Sequence, residues 1–400
     1  MTTPFPQALQ GLRIIDFSHV FQGPVGTQIL ADHGADVIKI ERPGAGDWSR
    51  AWGPFVKEVS LPFANLNRNK RSLAVNLKDE SGKAMVRQLI AGADVVVHNF
   101  RKGVMEKLGF GYTQMAVLAP RIIYAWSSGW GDHGPYADSG RGGHDMMARA
   151  EGGWFVQPDP AKPPVPGGMS IDYPAGLNLM LGILMALYHR EKSGRGQMVS
   201  TDLFSVSLHG HAWEAAAELN ANKVDRHAAV GSTEAAIDRA FATADGYIEI
   251  SPVFSDNALR DISTALGLGD LALDPRFANG PLQIENRSAL NAILQQTFRE
   301  KTTEQWIAQL EPRGVFCARV QSFLRAMDDP QAGANGMRVT LDHPRAGALD
   351  VLGTPIRMHG TPSTERRPPP DLGEHSRSIA AELGYRPEQI DALVAQGVIN

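Results

Sequence analysis

Apolar positions in the first third of the chain fall into short β-branched runs separated by longer stretches of helical spacing, and the two periods alternate. Arg13–Phe17 (RIIDF) reads as a strand, Gln22–His33 as a helix and Asp36–Ile40 (DVIKI) as a second strand, together a β-α-β unit. A helix over Glu80–Ala91 and strands over Asp94–His98 (DVVVH) and Arg121–Trp126 (RIIYAW) continue the pattern. The alternation predicts an α/β fold built on a parallel, doubly wound sheet. No G-x-G-x-x-G follows the first strand; HVFQGPVGTQ stands there instead, so the usual dinucleotide grip is poorly supported.

The stretch Gly131–Ser170 is dense in Gly and Pro and predicts ordered loop near a ligand rather than long regular elements. Beyond it, Pro174–Arg190 reads as a buried apolar helix, with Asp172 and Pro174 at its start and the basic turn REKSGRGQ at its end. Met198–Leu203 returns as a strand and Phe204–Ala221 as a helix. From about residue 226 the texture changes. In FATADGYIEISP, Asp245-Gly246 between β-rich runs predicts a hairpin that opens a smaller α+β lobe. Helices are expected near Asn257–Leu266, Ile284–Glu300 and Thr303–Leu310, and strands near Gly336–Leu341 and Asp350–Arg357. A Pro-rich connector, RRPPPDLGEH, leads to short helices over Ser376–Glu382 and Pro387–Gln396.

A chain of 400 residues is long enough for two domains, each with its own core. Its 43% hydrophobic and 20% charged residues are ordinary globular values. The longest apolar run, Leu177–Tyr188, is interrupted by Asn178 and Gly182 and is too short to cross a bilayer. MTTPFPQALQGLR carries no secretory signal pattern, so a cytoplasmic location is expected. The single cysteine, Cys317, excludes an intrachain disulfide and a thiolate cluster and reads as small core filler. With 39 basic against 43 acidic residues the net charge is −4, which gives no global attraction to nucleic acid or anionic lipid.

Four segments carry a resemblance: GLRIIDFSHVFQGPVGTQILADHGADVIKIERPGAGD, NLNRNKRSLAVNLKDESGK, ADVVVHNFRKGVMEKLGFGY and GILMALYHREKSGRGQMVSTDLF. In order, and with the closing LGEHSRSIAAELGY, they resemble the class III CoA-transferases, the CaiB/BaiF type, which include formyl-CoA transferase and carnitine CoA-transferase and have alpha-methylacyl-CoA racemase as a relative. The resemblance implies a Rossmann-like large domain over residues 1–225 rejoined by 331–400, a small α+β domain over 226–330, and an interlocked homodimer. It implies CoA transfer from an acyl-CoA to a carboxylic acid, with coenzyme A as substrate and no cofactor bound permanently.

Coenzyme A needs cations for its phosphates, backbone donors and an apolar channel. Arg42, Lys78, Arg101 and Lys107 lie beyond the carboxyl ends of predicted strands, where open α/β sheets bind ligands. The resemblance adds His19, Val20, Val75, Asn99 and Phe100 to these cations as CoA contacts. Asp172, in GGMSIDYPAG, reads from sequence as a helix cap. The resemblance makes it the nucleophile that forms a mixed anhydride and then an aspartyl-CoA thioester. Gly129, Gly142 and Gly143 are candidates for close backbone approach to an oxyanion.

His144-Asp145 departs from the transferase pattern, which usually has tyrosine at the first position. The pair is racemase-like, and an acid/base role for His144 with Asp172 is the alternative reading. A non-catalytic acyl-CoA binder is a second alternative. The glycine-rich loop of formyl-CoA transferase has no counterpart between Asn222 and Asp261. His209 and His211 lack further ligands at metal spacing, so no metal site is expected. Trp126, Trp130 and Trp154 are open between an acyl pocket and core packing.

Overall fold

A computed structural model describes residues 7–220, 236–251, 255–364 and 367–400. Its central element is a sheet of six parallel strands: β1 (Arg13–Asp16), β2 (Asp36–Glu41), β3 (Arg71–Ala74), β4 (Val95–His98), β5 (Ile123–Ser128) and β6 (Gln197–Asp202). The spatial order is β6-β5-β4-β1-β2-β3, which reverses direction between β1 and β4, and in such sheets ligands sit beyond the carboxyl ends at that switch point. Alternate residues serve opposite faces. Ile15, Ile38, Leu73 and Val96 join one core with Met85, Val86 and Leu89 of helix Glu80–Ala91, and with Ile379 and Ile390 near the chain's end. Ile14, Val37, Val95, Val97 and Ile123 join the other. Both faces are apolar because both are covered, so these strands read as continuous hydrophobic runs.

The second core is closed by α1 (Gln22–Asp32) and by α2 (Asp172–Ser193), which bring Val25, Ile29, Leu179, Met180 and Ile183 to it. These helices meet backbone to backbone. A Cβ on Gly26 would lie 2.7 Å from the Gly176 carbonyl oxygen, and one on Gly176 would lie 2.4 Å from the Gln22 carbonyl oxygen. The contact ties the first turn of α2, where Asp172 stands, to the first turn of α1. α2 buries one face only, which corrects the expectation of a buried helix: Leu181, Met185 and Tyr188 are exposed.

Two compact units are present: the described residues up to Trp213 together with Ala334–Asn400, and those from Glu214 to Gly333. The second unit has a three-stranded antiparallel sheet of Ala240–Ala242, Tyr247–Ser251 and Phe316–Arg319, packed with Leu259, Leu294, Phe298 and Trp306. The hairpin at Asp245-Gly246 is there, pairing Ala242 with Tyr247. Half-buried Cys317 packs beside this core, and burial pushes its thiol up to about 11. The junction expected at residue 225 lies outside the described residues.

Several expected elements differ. Ile284–Glu300 is two helices, Gly280–Glu285 and Arg287–Phe298, because the Asn286 side chain donates to the Arg276 and Leu282 carbonyls and breaks the run. Phe204–Ala221 is divided into Leu203–His209 and Ala212–Leu219 at Gly210, where a Cβ would meet the Trp154 ring at 2.7 Å. Near the C-terminus the strands are Arg338–His343 and Gly347–Leu352, since the pairing of His343 with Gly347 centres the turn on Pro344–Ala346.

The carboxyl ends of β1 and β2 hold charges with no access to water. Lys39 is fully buried, its Nζ 2.8 Å from Asp47 and donating to the Ser18 carbonyl at 2.7 Å. Asp16, equally buried, pairs with Lys70 at 3.1 Å and accepts from Thr27 and Ser18. Glu41 takes Arg50 in a two-pronged pair at 2.7 Å and accepts from Ser72 and the Asp47 amide. Burial alone would discharge Lys39, but the Asp47 and Asp16 carboxylates outweigh it and hold its pKa above the usual range. Removing one member leaves its partners charged in a dry interior. Lys39→Met is therefore expected to lose about 3–5 kcal/mol of stability in urea unfolding. A loss below about 1 kcal/mol would show that the lattice is not a structural constraint.

Candidate active site

The turn after β1 is set by that lattice. Asn99, just beyond β4, accepts from the His19 amide at 2.9 Å and donates to the His19 carbonyl at 2.8 Å, joining the two loops across the switch point. Val20 has φ +70°, a left-handed conformation that a β-branched residue adopts only under constraint. Its amide donates to both Asp47 oxygens, at 3.1 and 3.2 Å, while Lys39 holds Asp47 from below. Burial and the neighbouring Lys39 charge push the His19 pKa below its ordinary value, so its ring is neutral at pH 7.

Asp172 is the first residue of α2, and its N-cap is Ile171, which has no side chain able to cap. The capping comes from elsewhere. Asp145, at the start of the helix Asp145–Glu151, accepts on Oδ1 from Ser170 Oγ at 2.9 Å and from the amides of Ile171 and Asp172. Arg149, one turn on, donates to the Gly167 and Gly168 carbonyls. That short helix thus holds the segment entering α2 by both its carbonyls and its amides. The Asp172 carboxyl is left with no hydrogen bond among the described residues, and it is not the helix cap its position suggested.

A cavity of about 480 Å³ opens over these groups. His19, Val20, Asn99, Phe100 and Arg101 line one part, Gly129, Gly143, His144 and Asp172 another, and Trp48, Trp52 and Leu203 complete it. So the structure brings nine of the expected residues, Gly129 and Gly143 among them, around one space. Asp145 stands behind Asp172 rather than in the lining. Val75 is not in the lining: it is buried in the core with Leu73 and Met85, and its amide donates to the Glu41 carbonyl at 2.9 Å. Arg42, Lys78 and Lys107 do not reach the lining. All three are exposed beyond strand ends, and none of them, nor Arg101, has an ion pair among the described residues. Trp48 and Trp52 were missed; their signal was two indoles in GDWSRAWG directly after β2, where an apolar channel is needed. Trp126 and Trp154 are packing residues, donating to the Phe100 and Ser207 carbonyls. His211 is engaged too, with Nε2 at 2.9 Å from the Gly152 carbonyl and its ring stacked on Trp154.

Comparison with known proteins identifies the family of the chain. The sequence model of CoA-transferase family III matches residues 9–376. The chain belongs to CoA-transferase family III. It is 38% identical to an acyl-CoA transferase of Fusarium pseudograminearum, covering 98% of this chain and 88% of that protein. It is 35% identical to the succinyl-CoA:glutarate CoA-transferase of Mus musculus, covering 98% and 90%. Among solved structures, a CAIB/BAIF family protein from Brucella suis matches with a TM-score of 0.82 and 32% identity, over 94% of this chain and all of that one. As a family III CoA-transferase, the protein is an enzyme that moves CoA between an acyl-CoA and a carboxylic acid, and CoA thioesters are its substrates. No helix among the described residues is long and apolar enough to cross a membrane.

Within the cavity the electrostatics single out one carboxyl. Burial, with the Asp145 charge added, pushes Asp172 up to about 7 from an ordinary 3.8. Two carboxylates share one helix end, and the inner one has taken the amides that would otherwise favour the outer one's charge. Folding therefore retains a proton on Asp172 that the unfolded chain gives up. The stabilisation from the protonated form is complete below about pH 4 and is lost as pH rises through about 7. Asp172→Asn removes that titration, so its melting temperature should rise above wild type by more at about pH 8 than at about pH 5. Equal offsets at the two pH values would mean that Asp172 titrates normally.

Proposed function

We propose that transfer runs through a CoA thioester on Asp172. The observation that carries this reading is that Asp172 is the one carboxylate in the cavity lining, without a hydrogen-bond partner among the described residues, while Asp145 beside it is engaged by the backbone. An Asp172 oxygen attacks the acyl-CoA carbonyl carbon and expels CoA thiolate, leaving an acyl-aspartyl anhydride. The thiolate attacks the aspartyl Cγ and expels the donor acid as its carboxylate. The acceptor carboxylate then attacks Cγ of the thioester and expels the thiolate, which takes the acceptor acyl group and frees Asp172. No step needs a net proton or a redox partner. The ionised nucleophile is required, so the rate of transfer rises with pH through about 7.

Arg42, Lys78, Arg101 and Lys107 bind the CoA phosphates in this reading, with the turns at His19–Val20 and Asn99–Phe100 beside the nucleotide and pantetheine. Trp48, Trp52 and His144, which line the same cavity, contact the acyl group in this reading. Asp145 is a positioning residue for Asp172. Relatives named for succinyl-CoA:glutarate and acetyl-CoA:oxalate transfer support a short dicarboxylic acid as acceptor. The division into a large CoA-binding domain and a small α+β domain belongs to the same proposal, as does a homodimer, for which the exposed apolar stripe Leu181, Met185 and Tyr188 on α2 is a suitable face. With one cysteine, nothing in the chain depends on an oxidising compartment, and a cytoplasmic location fits.

Wild-type enzyme mixed with succinyl-CoA alone should gain the mass of CoA on the peptide carrying Asp172, and with glutarate added should yield glutaryl-CoA. Asp172→Asn should fold and do neither. Turnover in that variant above a few per cent of wild type would remove the assignment. Arg42→Ala and Lys107→Ala should each weaken CoA binding by about 1–3 kcal/mol in calorimetry, because a charge-assisted phosphate contact is lost. Unchanged affinity in both would return these residues to the solvated surface.

A further inference from the structure

Part of the lining that Asp172 shares is glycine backbone. Gly129 and Gly143 touch through their main chains: a Cβ on either would lie 2.7 Å from the other's Cα. Gly129, Gly143 and His144 all line the cavity that Asp172 lines. The amides of Gly142, Gly143 and His144, like those of Asp145 and Met146 that open the following helix, donate to no acceptor among the described residues. Consecutive free donors beside an acyl-transfer nucleophile are the arrangement that stabilises an oxyanion.

One side chain sets their direction. Trp130 Nε1 donates to the Gly142 carbonyl at 2.9 Å, fixing the peptide that carries the Gly143 amide. A Cβ on Gly143 would lie 2.9 Å from that same nitrogen, so the indole also limits how far the chain can rotate. Trp130 is itself held. Its ring is buried against Tyr136 and Phe204, at centroid distances of 5.0 and 5.8 Å, and the Arg141 guanidinium lies 4.5 Å over it. Arg141 is in turn paired with Glu151 at 2.7 Å. The tryptophan is therefore a fixed post against which the glycine segment is set.

We propose that the Gly143 and His144 amides bind the oxygen that becomes negative when a carbonyl in this site is attacked, and that Trp130 is the residue that positions them. The proposal rests on Asp172 as nucleophile. Attack by CoA thiolate on the aspartyl Cγ of the anhydride moves the carbonyl π electrons onto that oxygen; they return when the donor carboxylate leaves. The amides lend hydrogen bonds to the charge for the interval between, and no proton is transferred.

The test follows thioester formation on Asp172 in rapid-quench mass spectrometry with succinyl-CoA, alongside CoA affinity by calorimetry. Trp130→Phe keeps the ring stack with Tyr136, Phe204 and Arg141 but lacks the N–H. It is expected to slow thioester formation about tenfold or more with CoA affinity and melting temperature unchanged. Trp130→His, which keeps a ring N–H, should recover part of the rate, and it serves as the second variant. Thioester formation at the wild-type rate in Trp130→Phe would overturn the proposal, as would a loss of CoA affinity equal to the loss of rate. If the wild-type enzyme carries no CoA on Asp172, the nucleophile assignment fails and this inference with it, a result distinct from a labelled wild type with an unimpaired variant.

Discussion

Burying charge without water is the constraint on which this site depends. Asp16, Lys39, Asp47 and Lys70 lie dry at the carboxyl ends of the first strands, each tolerable only because the others are present. Lys70 shows the tension, since burial brings it down to about 8 even with Asp16 beside it. Such a lattice has few geometries that satisfy every member, so it holds the backbone above it tightly. Val20 is kept at positive φ by Asp47, and the His19 main chain is clasped by Asn99. The floor of the cavity is rigid because its foundations are ionic and cannot rearrange cheaply.

Across the cavity the opposite device operates. Asp172 is left without hydrogen-bond partners among the described residues, because Asp145 takes the amides at the start of α2. A carboxylate at a helix start would ordinarily accept those amides itself, becoming a weak nucleophile with a low pKa. Exchanging that role to a neighbouring helix leaves Asp172 desolvated, with its pKa pushed up to about 7 by burial and the Asp145 charge. The close glycine contact between α1 and α2 keeps the arrangement in register with the strand ends, because no side chain intervenes.

Sequence alone determined the parallel α/β sheet, since alternating β-branched runs and helical spacings bury their apolar faces in few other ways, and its successive blocks carried the family and the candidate Asp172. The family resemblance also pointed to the loops at His19–Val20 and Asn99–Arg101, which follow predicted strands. Long-range relations were out of the sequence's reach. That Asp145 caps a helix beginning 27 residues later, that Lys39 and Asp47 meet underground, and that Val75 turns its side chain into the core all depend on which elements pack together. Asn286 and Gly210 broke two expected helices for the same reason: the groups they meet, the Arg276 carbonyl and the Trp154 ring, are set by the fold. Local periodicity records which face of an element is apolar; only tertiary packing decides which polar groups share a dry space, and there the chemistry of this site is set.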